Sequence, residues 1–363
     1  MSFLPSIAIL ALLVFIHELG HFAAARWQGI HVDRFSIGFG PVLWRYQGSQ
    51  TEYALRLIPL GGYVGFPDEN PHSVIPADDP NLMGNRPIRD RAIVISAGVI
   101  ANLLLAYAAL LVMVVSVGVG TVDQPGVKIL SLITPDAPAA RAGLLAGDVV
   151  RSADGQALPQ DLEVLDRFQR LVASHANELL LLEVERSTPT DTQTLTISVT
   201  PQGELGKGKI GVRLDYNGRP YRQPIREPIA ALGQASHEFR RLLMATLNGF
   251  RQLATNFAAT AQQIAGPVAI VAMGSELARS DAASLFDFTA VISINLAILN
   301  ILPLPALDGG QLLFLLIEAL RGGKPLPSAW QENVMQGGLV LLLGLGVVLI
   351  FRDSFNLWQT SIQ

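Results

Sequence analysis

The reading of the fold turns on Phe3–Ala25, FLPSIAILALLVFIHELGHFAAA. As a helix, about 20 predominantly apolar residues cross a hydrocarbon layer, and this run is long enough. It nevertheless contains three ionisable side chains, His17, Glu18 and His21. Each is costly to place in lipid without a partner. On a helix, His17 and His21 fall on one face, about one turn apart. Two imidazoles in that arrangement suit one zinc ion, with Glu18 beside them as general base. A bound metal would compensate for their burial. The run lacks a basic leading segment, so it reads as a retained span rather than a cleaved leader.

Composition agrees with a membrane. Half of the 363 residues are hydrophobic and 15% are charged, against about 25% charged in soluble domains. Further apolar runs cover 93–122, 288–317 (interrupted at Asp308) and 334–351. The expectation is a polytopic α-helical membrane protein with four transmembrane helices, the fourth slightly short. The lipid bilayer is then one partner. A net charge of −4 gives no reason to invoke nucleic acid. The chain has no cysteine, which excludes disulfides and thiolate ligands. Residues 26–91 carry seven arginines, and Arg321 and Lys324 follow the third span. These flanks predict a cytoplasmic side, with both termini and the region 123–284 opposite. Arg219, Arg222, Arg226, Arg240, Arg241 and Arg251 pull the other way, but the rule is weak for long loops.

A catalytic zinc takes three protein ligands and keeps a position open. The other histidines, His31, His72, His175 and His237, fall in loops or the outer region. Asp308 is the one acidic residue between Asp287 and Glu318. A partner metal would answer both the missing ligand and the cost of burying a carboxylate. Pro303 and Pro305 precede it and should break the third span. Broken backbone at membrane depth is tolerated where it lines a cavity or is buried in protein. Gly309-Gly310 permits close backbone approach. Asn295 and Asn300 can offer amides to a substrate backbone, or else bind helices to one another.

Four regions follow: 1–120, with spans one and two; 121–217, a soluble α+β insert; 218–280, a helical connector; and 281–363, with spans three and four. Within 31–66, alternation at Tyr53–Ile58 and glycine punctuation suggest a β-hairpin element, and 67–90 reads as irregular. The insert predicts strands at Val127–Leu132, Val149–Ser152, Leu179–Val184 and Leu195–Val199, and a helix near Leu162–Val172. Residues 229–264 carry one apolar stripe at helical spacing. That helix either packs on the protein or lies in the membrane interface.

Taken together, these residues resemble the site-2 protease family of intramembrane zinc metalloproteases, and within it the bacterial regulator-of-sigma-E protease group. The resemblance is carried by His17-Glu18-x-x-His21, Arg34–Gly40 (RFSIGFG), Ile58–Val64 (IPLGGYV), Ala97–Leu103 (AGVIANL), Gly266–Met273 (GPVAIVAM) and Asn295–Gly310 (NLAILNILPLPALDGG). It implies zinc on His17, His21 and Asp308, and Glu18 as base. It implies that Asn300 and Asn295 contact substrate. Gly61, Gly62 and Tyr63 would lie in a cytoplasmic-side, membrane-associated β element that pairs with unwound substrate. Pro135–Leu158 resembles one PDZ domain, with Gly208, Ile210, Gly211 and Val212 as its ligand loop and a peptide as its ligand. Gln311 stands where many members have His, and Val99 where many have Pro. The best-known relatives carry two PDZ modules. The implied activity is regulated intramembrane proteolysis of previously trimmed single-span proteins, such as anti-sigma factors and remnant signal peptides. The implied place is the bacterial cytoplasmic membrane, with the PDZ domain and both termini periplasmic. A catalytically inactive membrane-anchored PDZ scaffold is the alternative, against which the full ligand set argues. A transporter would explain the Pro303 break but not the histidine pair.

Overall fold

The computed structural model describes residues 3–70, 73–188, 191–204, 206–257 and 264–362. His72, and the part of the predicted 229–264 helix at 258–263, lie outside the described residues. The chain divides into two compact units, 1–114 with 226–363, and 115–225.

The first unit holds four helices long and apolar enough to cross a membrane. They are α1 (Leu4–Trp27), α2 (Ile88–Ser116), α7 (Ala282–Ile301) and α9 (Ser328–Ile362). Pro5 sits in the first turn of α1, where its missing N–H costs nothing. Two expectations need correction. The second span ends at Ser116 rather than Val122, because residues 119–122 form a strand. The fourth is not short: α9 continues well beyond 334–351 at both ends, through polar turns that the apolar run does not include.

Helices α5 (Pro228–Thr255), α6 (Pro267–Ser280) and α8 (Asp308–Leu320) complete this unit. Glu227 caps α5 by accepting from Ala230 N at 2.6 Å. The helix packs on the protein: Tyr107 of α2 donates to Leu232 O at 3.3 Å and meets the Phe239 ring edge-on. Leu232 and Met244 remain exposed on it.

Residues 34–65 form a small sheet of two long strands, β1 (Arg34–Gln47) and β2 (Glu52–Gly65). Each doubles back on itself, so four short segments result. Residues 42–47 pair antiparallel with 52–56, in the predicted hairpin. Residues 34–37 then run parallel to 52–55 and antiparallel to 62–65. The segment order is 42–47, 52–56, 34–37, 62–65. Segment 62–65 therefore has one edge without a strand partner among the described residues.

The second unit is α+β. Its main sheet has the order β8-β7-β5-β4-β9, formed by β4 (Val127–Leu132), β5 (Val149–Ala153), β7 (Leu180–Ser187), β8 (Thr192–Val199) and β9 (Val212–Tyr216). The short β6 (Gln156–Ala157) joins β5, while β3 (Val119–Val122) pairs antiparallel with β10 (Pro220–Gln223). Helices α3 (Pro138–Arg141) and α4 (Val164–Ser174) cover the sheet. Alternate residues of β4 and β7 join Phe168 of α4 in one buried core. Asp148, almost fully buried, holds Arg186 through both carboxylate oxygens at 2.7 Å and so raises the guanidinium pKa.

Candidate metal centre

Helix α1 brings His17 and His21 to one face. Their Nε2 atoms are 3.2 Å apart. Asp308 Oδ2 lies 3.3 Å from His17 Nε2 and 3.4 Å from His21 Nε2. Three donors around one tetrahedral zinc, at bond lengths of about 2.0–2.2 Å, stand about 3.3 Å from one another. The triangle fits. Asp308 Oδ2 is also buried and makes no hydrogen bond, although two imidazoles face it. A metal at the centre of the triangle would give that orphaned oxygen a partner. Among the described residues, this is the only group of His and acidic side chains so placed.

The break in the third apolar run delivers Asp308. Helix α7 ends at Ile301, and the chain turns through Leu302–Leu307, where Ala306 adopts a left-handed φ of 69°. Helix α8 then starts at Asp308 itself. A Cβ at Gly309 would lie 2.1 Å from Leu302 O, and one at Gly310 would lie 2.4 Å from Leu304 O. The glycine pair is thus what lets the turn fold back on the helix start. A carboxylate in the first turn of α8 also meets the positive end of its dipole.

Around the triangle the packing is close. A Cβ on Gly98 of α2 would lie 2.3 Å from His21 Nε2, and one on Gly20 of α1 would lie 2.5 Å from Ala97 O. His21 Nδ1 donates to Val94 O at 2.8 Å. Asn300 Nδ2 is 3.2 Å from His17 Nε2, so Asn300 joins the centre. Asn295 does not: its amide donates to Val291 O of its own helix at 2.9 Å.

The β element reaches the same place. A Cβ at Gly62 would come within 2.8 Å of Glu18 Cγ and of Ser36 O. Gly61 has φ 87°, and a Cβ there would enter the Phe39 ring. Tyr63 pairs with Ser36 and lies under the Arg56 guanidinium, 5.9 Å from it. In the second unit, Gly208 N donates to Ala173 O at 3.2 Å, and Ile210 O and Gly211 O accept from Ala139 and Ile133. Val212 opens β9 opposite Leu132. This loop is tied to α3 and to the end of α4.

Sequence reasoning assigned no role to Gly98, and none to the buried Asn102 and Ser293. The motif AGVIANL contains the first two. The available signal was polar and minimal residues in an otherwise large apolar run.

Comparisons with known proteins bear on the whole chain. A protein of Nostoc sp. named "Putative zinc metalloprotease" is 53% identical, over 98% of this chain and 97% of that protein. One of the same designation from Synechocystis sp. is 55% identical, over 98% and 94%. The chloroplastic membrane metalloprotease ARASP of Arabidopsis thaliana is 44% identical, over 98% of this chain and 79% of its own length. Among solved structures, the PDZ domain of an SdrC-like protein from Listeria innocua aligns with 25% of this chain and 96% of that one, at 22% identity and a TM-score of 0.20. The model of peptidase family M50 matches residues 5–345, a range that takes in His17, Glu18, His21 and Asp308. With its spanning helices and its histidine–aspartate triangle, the chain belongs to peptidase family M50 and is a membrane metalloprotease.

Proposed function

We propose that this protein is a zinc endopeptidase that cuts single-span membrane proteins within the bilayer. The observation that carries the reading is the His17–His21–Asp308 triangle, formed by α1, a helix of membrane-spanning type, and the first residue of α8, with Glu18 beside it. His17, His21 and Asp308 would hold the metal. Zinc held there would supply a Lewis acid and make water a readier nucleophile. Glu18 accepts the proton of the attacking water and returns it to the leaving amine. Asn300, 3.2 Å from His17, presents its amide to the carbonyl of the scissile bond.

A helical substrate hides its peptide groups in its own hydrogen bonds, so it must unwind to be cut. The unpaired edge of 62–65, with Gly62 against Glu18, offers replacement bonds by strand addition. Any side chain at Gly62 would displace Glu18 or the strand.

The second unit is read as one PDZ domain that screens substrates, passing those whose outer parts are already trimmed. Anti-sigma-factor-like proteins and remnant signal peptides fit that rule. We place the protein in the bacterial cytoplasmic membrane, with both termini and the PDZ unit on the periplasmic side. The Arg91–Glu318 ion pair supports this topology, since it joins the start of α2 to the end of α8, ends that the arrangement assigns to the cytoplasmic face. The test is Glu18→Gln with a single-span reporter in membranes. Cleavage is lost while the metal is retained; a variant that cuts at the wild-type rate sinks the reading.

A further inference from the structure

Asn102 lies one turn beyond Gly98 on α2 and has no exposed surface. Its Nδ2 is 3.2 Å from His17 Nδ1. Its Oδ1 is buried and accepts no hydrogen bond. Ser293 of α7 donates to its backbone carbonyl at 2.7 Å, which anchors this point of α2. A buried amide oxygen left unpaired is costly, so the position calls for a reason.

The neighbouring imidazole supplies one. His21 Nδ1 faces Val94 O, which can only accept. His21 therefore carries its proton on Nδ1 and leaves Nε2 bare. His17 turns its Nε2 to the same point, facing His21 Nε2 and Asp308 Oδ2. If His17 Nε2 is to ligate, its proton must sit on Nδ1, and Nδ1–H then needs an acceptor. Asn102 is the group the structure puts there. An amide exchanges its oxygen and nitrogen by a half-turn about Cβ–Cγ, as the surrounding bonds dictate. Here the half-turn brings Oδ1 to Nδ1 and breaks no bond of Oδ1, which has none.

We infer that Asn102 is a positioning residue whose side-chain oxygen accepts the Nδ1 proton of His17 and so reserves His17 Nε2 for the metal. The inference rests on the zinc reading proposed above.

The test compares zinc affinity of the purified full chain by competition with a chromophoric chelator. Asn102→Asp keeps an acceptor and removes the donor, whereas Asn102→Leu keeps the volume and removes both. Asn102→Leu should bind zinc about 10- to 100-fold more weakly, and Asn102→Asp should stay within a few-fold of wild type. An equal loss in both variants means that the amide acts as donor, and overturns the inference. Unchanged affinity in Asn102→Leu overturns it as well. If Asn102→Leu does not fold, Asn102→Asp decides alone, because a required donor predicts loss and a required acceptor predicts retention. A wild type that takes up no zinc overturns the parent reading together with this one. Zinc uptake by wild type with no effect of Asn102→Leu overturns this one only.

Discussion

In the second unit, Val127, Ile129, Phe168, Leu180 and Leu182 are hidden, and charged residues other than Asp148 are at least partly exposed. In the first, Val340, Leu341, Leu343 and Phe351 of α9 are exposed, while His17, Asn102, Ser293 and Asn300 are hidden. The two units answer to different solvents. In water, removing apolar surface contributes about 25 cal/mol per Å² and builds the core. Between helices in lipid that force is absent, so close packing at small residues and polar contacts decide association. Gly20 against Ala97, Gly98 against the histidines and Ser293 against Asn102 are contacts of the second sort. The candidate metal centre sits where the membrane rule concentrates polar groups.

That contrast can be broken. Gly98→Ala should have the largest effect, because its Cβ would lie 2.3 Å from His21 Nε2 and 2.7 Å from His17 Cε1. Cleavage should fall at least about 100-fold, as displacement by 1 Å near the chemistry can cost. Single-turnover assays with metal analysis would check it, and an active variant would show that the rings have room to move. Next comes Phe168→Ala in the buried core of the second unit. It should destabilise that unit by about 3–5 kcal/mol. Hydrogen exchange over 115–225 in the full chain should rise while zinc content stays unchanged. Loss of zinc would show that the units are energetically linked.

The Arg91–Glu318 pair sharpens the comparison, because both side chains are mostly buried in the membrane unit. Glu318→Ala strands the guanidinium and should cost about 3–5 kcal/mol, read as a lower melting temperature in detergent. Arg91→Met with Glu318→Leu should recover most of the loss. A double variant no better than the single would mean that the charges themselves hold α2 to α8. Smallest is Gly344→Ala on α9, where a new Cβ meets nothing within 4 Å. Melting should change by less than about 1 kcal/mol, with zinc content unaltered. A large loss would reveal a neighbour for α9 outside this chain.

The strands at Val127–Leu132 and Val149–Ala153 matched their predicted bounds to within a residue, because alternation at period two is a local property. Helix α5 stops at Thr255, where the apolar stripe alone would carry it further; periodicity marks a face and not an end. The small sheet was legible only as a hairpin. Its central segment 34–37 pairs with residues far along the chain, and a pairing at that range leaves no local pattern. Asn295 and Asn300 looked alike in sequence, yet only Asn300 reaches His17. Five positions turn a helix through about 140°, so the facing helix decides which amide points inward.

By itself, the sequence determined the number of spans, the shared face of His17 and His21, and the need for a partner to Asp308. These follow from helical periodicity and from the cost of charge in lipid. Tertiary structure alone decided that the three donors meet at metal-binding distance, that Gly98 leaves room for the histidines and Gly62 for Glu18, and that Asn102 stands behind His17. Those facts depend on how closely separate helices approach, a distance set by packing across the bundle rather than by neighbours along the chain.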